Sequence, residues 1–100
     1  MDGSTLLTCW TQFDLYGSPL ETDQSVILCS TSNHRAKKWS EPVRVNAIAG
    51  DCADGDFTVE GAVPDIALDG TMYVAWAHAD TIWMDRSDDG GETWLENDLR

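Results

Sequence analysis

Positive charge is scarce in this chain of 100 residues, which has six Lys and Arg, eighteen Asp and Glu, and a formal net charge of −12. Such an acidic surface repels phosphate groups and anionic lipids, which argues against nucleic-acid and membrane-surface binding. No apolar run approaches the roughly eighteen residues of a membrane-spanning helix, and residues 1–4 lack the features of a signal peptide. We therefore expect neither nucleic acid nor membrane as a partner, and the localisation stays unknown.

Proline is also rare, with three residues, and 42% of the chain is hydrophobic, which is typical of one globular domain and not of disorder. Helical periodicity is missing, because no stretch keeps apolar residues at helical spacing over three turns. Short apolar runs alternate with turn residues instead. This pattern predicts an all-β chain of antiparallel sheets with about seven strands, at residues 5–11, 25–31, 43–47, 62–68, 72–77, 81–87 and 94–99.

Cysteine occurs three times, an odd number that excludes a fully paired set of disulfides. Cys9 and Cys29 lie in apolar runs, so we expect them to be free and buried as small hydrophobic residues. Cys52 lies in an acidic loop, where we expect it to be exposed. No Cys or His spacing fits a zinc site, and the sequence predicts neither a metal nor a cofactor.

The chain repeats itself. Residues 6–10 match residues 72–76 at an offset of 66, and the series Ile27, Ser32, Trp39 recurs as Ile82, Ser87, Trp94 at an offset of 55. Each copy has the order strand, loop, strand, turn, strand, and the second copy has an extra strand before it. We predict a three-stranded repeat at residues 1–47 and a second repeat at residues 62–100.

One turn in the second copy has a recognisable pattern. Residues 87–94 fit S-x-D-x-G-x-T-W at every position, through Ser87, Asp89, Gly91, Thr93 and Trp94. The Asp carboxylate can accept hydrogen bonds from backbone N–H groups of a tight hairpin, and the Gly permits a positive φ. The Trp then covers the hairpin with an apolar face. We predict a structural turn.

This pattern resembles the Asp-box, or bacterial neuraminidase repeat, of sialidase-like β-propellers, although residues 32–39 of the first copy keep only its Ser and Trp. The resemblance implies sheets of propeller-blade type, with a box that is structural and lies outside the active site. Propellers close with roughly four to eight blades, so two blades would leave apolar faces open. We therefore expect a homo-oligomer, a dimer or trimer. The alternative is a monomer whose two sheets pack as a sandwich.

The same turn also fits a calcium loop. Asp85, Ser87, Asp89, Gly90 and Glu96 stand at positions one, three, five, six and twelve of an EF-hand-like loop. Residues 81–84 before it read as a strand and not as the entering helix that such a loop requires. We therefore favour the structural turn over a metal site.

The sialidases that this chain resembles bind substrate through three arginines and attack with a tyrosine assisted by a glutamate. The four arginines here are Arg35, Arg44, Arg86 and Arg100, and the Arg-Ile-Pro motif of the family is absent. Tyr16 lies in a loop, and Tyr73 lies in an apolar strand. Because no such catalytic set can be assembled, we expect a chain that is not an enzyme by itself.

The resemblance places residues 12–24, 48–61 and 78–80 on the ligand side, and these loops contain no Lys or Arg. A neutral glycan fits this acidic surface better than sialic acid does. The candidate ligand-side residues are Trp10, Trp76, His78, Asp80, Asp54, Asp56 and Glu60. For the two tryptophans the alternative is burial in the core. The expected function is a non-catalytic or vestigial sialidase-like module that binds carbohydrate. The alternative is a glycoside hydrolase assembled across subunits, with acidic-loop carboxylates as acid and base.

Overall fold

The computed structural model describes residues 5–33 and 36–100, and these form seven β-strands in two antiparallel sheets. The prediction of an all-β chain is confirmed. The strands are β1 Leu6–Phe13, β2 Gln24–Ser32, β3 Val43–Arg44, β4 Gly50–Asp51, β5 Glu60–Ile66, β6 Met72–His78 and β7 Thr81–Ser87. Within these ranges there is no helix of the length and hydropathy needed to cross a bilayer.

The first sheet has the order β1-β2-β3, and β4 also pairs with β2. β3 is shorter than the predicted strand 43–47, because the side chain of Asn46 replaces a backbone partner and its Oδ1 accepts a hydrogen bond from Ile27 N at 2.7 Å. The pairing of β4 was not predicted. It depends on Gly50, since an added Cβ would lie 2.5 Å from Val59 N and 2.7 Å from Ser25 Oγ.

The second sheet has the order β5-β6-β7. The predicted strand 94–99 is reduced to one antiparallel bridge, in which Leu99 and Met84 exchange two backbone hydrogen bonds of 2.7 and 2.8 Å. The physical reason lies at Leu95, whose N–H donates to the Asp85 side chain at 2.8 Å instead of to a strand. At Leu95 a hydrogen bond to the Asp85 side chain thus replaces a backbone hydrogen bond between strands.

The two copies of the repeat share one strand register. In the first copy β1 pairs with β2 so that Leu6 lies opposite Ser32. In the second copy β6 pairs with β7 so that Met72 lies opposite Ser87. These pairs are related by the offsets of 66 and 55 found in the sequence. The two hairpins are therefore structurally equivalent position by position.

The core lies between the two sheets. Its buried residues include Ile27 and Cys29 from β2 and Val74 and Trp76 from β6. Because side chains alternate across a strand, this packing covers only one face of each sheet. The opposite faces have exposed apolar residues, among them Leu6 and Ile82.

The cysteines correct the sequence predictions. Cys9 and Cys29 are not free: they form a disulfide, because the β1–β2 register places them directly opposite each other with 4.1 Å between their Cα atoms. Cys52 is a free cysteine, as expected, but it is fully buried and not exposed. Its backbone carbonyl accepts a hydrogen bond from Gly17 N at 2.7 Å, which holds the acidic loop against the β1–β2 connection.

Candidate functional site

The turn after β7 is closed by the side chains that the sequence singled out. Asp89 Oδ1 accepts hydrogen bonds from Ser87 Oγ at 2.7 Å and from Thr93 N at 2.9 Å. Asp89 Oδ2 accepts a further hydrogen bond from the Thr93 hydroxyl. Ser87 Oγ in turn accepts one from Gly91 N at 2.9 Å, and Gly91 has a φ of 89°. The turn is thus held by Ser87 and Asp89, which accept hydrogen bonds from its backbone, and by the Thr93 hydroxyl, which donates to Asp89.

The charge of Asp89 is part of this arrangement. The hydroxyl and backbone N–H of Thr93 and the hydroxyl of Ser87 all donate to its carboxylate, and they lower the pKa of Asp89 to about 2. Hydrogen bonds to the ionised form favour that form. The turn is therefore built around a carboxylate that stays charged across the physiological pH range.

Trp94, the last residue of the pattern, packs against the core between the sheets. Gly91 lies so close to the first sheet that an added Cβ would meet Thr31 Cγ2 at 2.9 Å. The turn of the second repeat therefore also contacts the end of β2.

The first copy of the turn keeps part of this geometry. Ala36 N donates to Ser32 Oγ at 3.2 Å, the counterpart of the bond from Gly91 N to Ser87 Oγ. Ala36 also has a positive φ, 67°, although it is not a glycine. The residues in place of Asp89 and Gly90 are His34 and Arg35, which lie outside the described residues. The equivalent of Trp94 is Trp39, which is exposed.

A pair of carboxyl groups lies behind the second turn. Asp85 is fully buried, and its Oδ1 accepts hydrogen bonds from Arg86 N at 2.7 Å and Leu95 N at 2.8 Å. Asp98 Oδ2 accepts one from Ala47 N at 2.8 Å, which links the second repeat to the first. Asp85 Oδ2 and Asp98 Oδ1 are buried and accept no bond from any other described group.

Burial and the contact with the Asp98 side chain raise the pKa of Asp85 to about 7, although two backbone N–H groups act in the opposite direction. A proton shared between the two carboxyl groups satisfies both unpaired oxygens. We read the pair as a hydrogen-bonded acid–carboxylate couple that fastens residues 95–98 to β7.

The calcium-loop positions do not converge in the structure. Asp85 points into the interior and Asp89 into its own turn, and the Oδ1 atom of each accepts backbone hydrogen bonds. Glu96 is exposed. Across residues 5–33 and 36–100, no three His, Cys, Asp or Glu side chains are grouped to hold a metal ion.

The predicted ligand-side loops meet at the other end of β7. Ala79 and Asp80 form the tight turn between β6 and β7, both with positive φ, and Ala79 N donates to Asp56 O at 2.7 Å. The Tyr16 hydroxyl donates to Asp54 Oδ2. That bond and the charge of Asp54 hold the pKa of Tyr16 above its ordinary value. Three separate loops are thus joined into one surface.

Within this surface lies an open cavity of about 270 Å³. Four of the seven candidate ligand-side residues line it: His78, Asp80, Asp56 and Glu60, together with Thr58, Thr81, Ile82, Ala77 and Ala79. No Lys or Arg is among these lining residues. The cavity therefore combines carboxylates and hydroxyls with a small apolar wall.

The other three candidates lie elsewhere. Trp76 is 2% exposed and occupies its alternative position in the core. Trp10 is half-buried on β1, and its Nε1 donates to Gln12 Oε1 at 3.2 Å. Asp54 is held by Tyr16 and does not line the cavity. Sequence reasoning missed Thr58 and Thr81, because a threonine near a strand end carries no distinguishing pattern.

The described arginines have separate partners. Arg44 Nε donates to Asn46 O at 2.9 Å, Arg86 lies 3.7 Å from Asp88, and the Arg100 guanidinium lies 5.4 Å from the ring centre of Trp83. Tyr73 is half-buried on β6. Comparisons of the chain with models of protein families, with curated proteins and with solved structures gave no match.

Proposed function

We propose that this chain is a non-catalytic, sialidase-like Asp-box repeat module that binds neutral carbohydrate. The observation that carries the proposal is the hydrogen-bonded turn in which Asp89 closes on Ser87 and Thr93. The equivalence of the two hairpins supports the repeat assignment. A box of this kind fixes the hairpin end and leaves the opposite loops to carry a ligand site.

The cavity at those loops has the chemistry of a sugar site. Asp56, Glu60 and Asp80 supply carboxylate oxygens that accept hydrogen bonds from sugar hydroxyls, and the Thr81 hydroxyl can both donate and accept them. The Thr58 hydroxyl is buried and is held by Asp51 and Gly55. Ile82 gives the cavity an apolar wall. At about 270 Å³ it is slightly below the roughly 300 Å³ at which small-molecule sites usually begin, which suits a single sugar unit.

The negative charge of the cavity favours neutral sugars over anionic ones. The three carboxylates of the cavity are not balanced by a Lys or Arg in its lining. An anionic sugar such as sialic acid would meet repulsion there, whereas a neutral sugar would not. The expected ligands are therefore neutral glycans.

A glycan array that contains neutral and sialylated sugars tests the proposal. We expect binding to neutral glycans alone, and we expect the double change Asp56→Ala/Glu60→Ala to abolish it. The matched control is Asp88→Ala/Glu92→Ala, which removes the same charge at the opposite end of β7 and should bind as the unchanged protein does. Absence of neutral-glycan binding, or equal loss in both double variants, would contradict the proposal.

The alternative function is hydrolysis of a glycoside. It is favoured by the grouping of Asp56, Glu60 and Asp80 around one cavity, since glycoside hydrolysis commonly uses two carboxyl groups. Fluorogenic glycosides distinguish the two functions. Turnover that is lost on Glu60→Gln and kept in Glu92→Gln would establish the enzyme and overturn the binding module.

A further inference from the structure

The two sheets pack through two different faces. We call "front face" the side of a repeat that contains Leu7, Cys9, Ile27 and Cys29 in the first copy. We call "back face" the side that contains Val74, Trp76 and Trp83 in the second copy. These seven residues belong to one core cluster. The front face of the first repeat therefore packs against the back face of the second.

Each repeat has both a front face and a back face, but only one of the two packs inside the chain. The offsets of 66 and 55 place a second front face at Tyr73, Ala75, Ile82 and Met84, and a first back face at Thr8, Trp10 and Leu28. The strand register confirms these sets, because Ala75 lies opposite Met84 as Cys9 lies opposite Cys29, and Trp10 lies opposite Leu28 as Trp76 lies opposite Trp83. One copy of each face is used inside the chain and the other is not.

We call a face "used" when it packs in the core between the two sheets and "unused" when it does not. Equivalent side chains are buried on the used faces and exposed on the unused ones. Ile27 is 0% exposed, whereas its counterpart Ile82 is 68% exposed. Met72, on the used back face, is 2% exposed, whereas its counterpart Leu6 is 41% exposed. Val63, which lies opposite Ala75 in β5, extends the unused front face and is also exposed. Apolar groups of this kind on two open faces are unfavourable in water.

The unused front face is concave as well as apolar. A cavity of about 210 Å³ opens on it, lined by Val63, Ala75, Ala77 and Ile82 among others. The unused back face offers a large side chain, Trp10, at the position from which Trp76 enters the internal core. The shapes needed for a second contact of the internal type are therefore present.

We infer that copies of this chain associate head to tail, with the front face of the second repeat of one copy packed on the back face of the first repeat of the next. The occupant of each open face is thus a second copy of the same chain, and the contact continues the internal interface. Because the two faces differ, the association is heterologous, and it ends only when the copies close into a ring.

Charges at the edges of the two faces are complementary. Arg44 lies opposite Leu28 and so shares the unused back face. Asp65 lies opposite Tyr73, and Glu60 lies opposite Ala77, so both carboxylates share the unused front face. Arg86, which also lies opposite Tyr73, is accompanied by Asp88. Opposite charges steer two surfaces into register during association.

The inference rests on the repeat register and on exposure, and its tests measure mass and not glycan binding, so either proposal can fail alone although Glu60, Ala77 and Ile82 line both cavities. Light scattering at tens of micromolar provides the first test. We expect two or three times the mass of one chain, which is 11.0 kDa. A mass equal to one chain would overturn the inference.

Two variants test which faces meet. Ile82→Asp removes the unused front face and Trp10→Asp removes the unused back face; each should have the mass of one chain while its circular dichroism stays unchanged. If Trp10→Asp does not fold, Leu6→Asp on the same face replaces it. The matched control is Leu20→Asp, since Leu20 is an exposed leucine of the β1–β2 loop, and it should associate as the unchanged chain does.

Mixing the two variants distinguishes head-to-tail from like-to-like pairing. Each variant keeps the face that the other has lost, so a one-to-one mixture should form a heterodimer of twice the mass of one chain. Pairing between identical faces predicts instead that one variant still dimerises alone. That result, or a mixture that stays at the mass of one chain, would overturn the inference.

Discussion

Asp85 and Asp98 are neighbours behind the turn that follows β7, and each has one buried oxygen that accepts no hydrogen bond from another described group. The contact fastens the last residues of the chain to β7, while the second oxygen of Asp98 bonds to Ala47 N of the first repeat. Two neighbouring carboxylates would repel each other, and a proton between them removes that repulsion and satisfies both oxygens.

This pair predicts a pH-dependent stability. The pKa of Asp85 is raised from 3.8 to about 7, so the folded chain holds a proton that the unfolded chain releases. The stability from this group is complete below about pH 4 and is lost as the pH rises through about 7. We expect Asp85→Asn, which cannot ionise, to flatten this decline and to raise the melting temperature above pH 7. Equal pH profiles for both proteins would contradict the shared proton.

Asp89 predicts the opposite dependence. Its pKa is lowered to about 2, so its contribution is present above the unfolded value of 3.8 and is lost as the pH falls towards 2. We expect Asp89→Ala to lower the melting temperature at neutral pH by several degrees, because it leaves Thr93 N without its acceptor. Glu92→Ala is the control with the same loss of charge in the same turn. A melting temperature unchanged by Asp89→Ala would contradict a structural role for the turn.

The disulfide predicts a definite thiol count. We expect no reactive thiol in the native protein, one after denaturation and three after denaturation with reductant, since Cys52 is buried and the other two are bonded. Cys9 and Cys29 are 20 residues apart, and a disulfide that closes a loop of this size contributes about 3 kcal/mol. Urea unfolding of the Cys9→Ala/Cys29→Ala protein measures that loss, and more than one thiol after denaturation alone would exclude the bond.

The repeat register makes a converse prediction. Ala75 and Met84 lie opposite each other as Cys9 and Cys29 do. We therefore expect Ala75→Cys/Met84→Cys to form a second disulfide in air, detectable by mass spectrometry. The control is Ala75→Cys/Ile82→Cys, whose two positions are not opposite each other in the register, and both introduced thiols should stay free, as Cys52 does.

Calcium should have little effect on stability. Asp85 Oδ1 and Asp89 Oδ1 already accept backbone hydrogen bonds, Asp89 Oδ2 accepts one from the Thr93 hydroxyl, and Asp85 is buried. Binding at a hundred times the dissociation constant would stabilise the folded state by about 2.7 kcal/mol. A thermal shift of several degrees in millimolar calcium, reversed by a chelator, would contradict the structural assignment of the turn.

Much of this architecture was readable from the sequence because it depends on local patterns. The apolar runs located β1, β2, β5, β6 and β7, and the pattern at residues 87–94 predicted the hydrogen bonds of its own turn. What was missed depends on tertiary contacts. The disulfide needs the exact register of two strands, and the Asp85–Asp98 pair joins residues thirteen positions apart through burial. Neither carries a signal in the order of the residues.

The predicted strand 94–99 shows that a tertiary contact can prevent a strand that the local sequence favours. Its residues have the composition of a strand, but Leu95 N bonds to the buried Asp85 side chain, and only Leu99 pairs with β7. The candidate ligand-side residues also divide into those that the local sequence located and those whose position depends on tertiary packing. The loop carboxylates that line the cavity were found by their position between strands, whereas the burial of Trp76 depends on how the two sheets pack.

The connections within the two hairpins differ in length, which predicts different folding rates. β6 and β7 are joined by the two residues Ala79 and Asp80, whereas β1 and β2 are joined by residues 14–23. Closing a longer loop costs more chain entropy, so we expect β6–β7 to form first and to offer its back face as a template for β1–β2. The disulfide lies in the hairpin with the longer connection. Oxidation of Cys9 and Cys29 would then hold together the half of the molecule that is slowest to assemble.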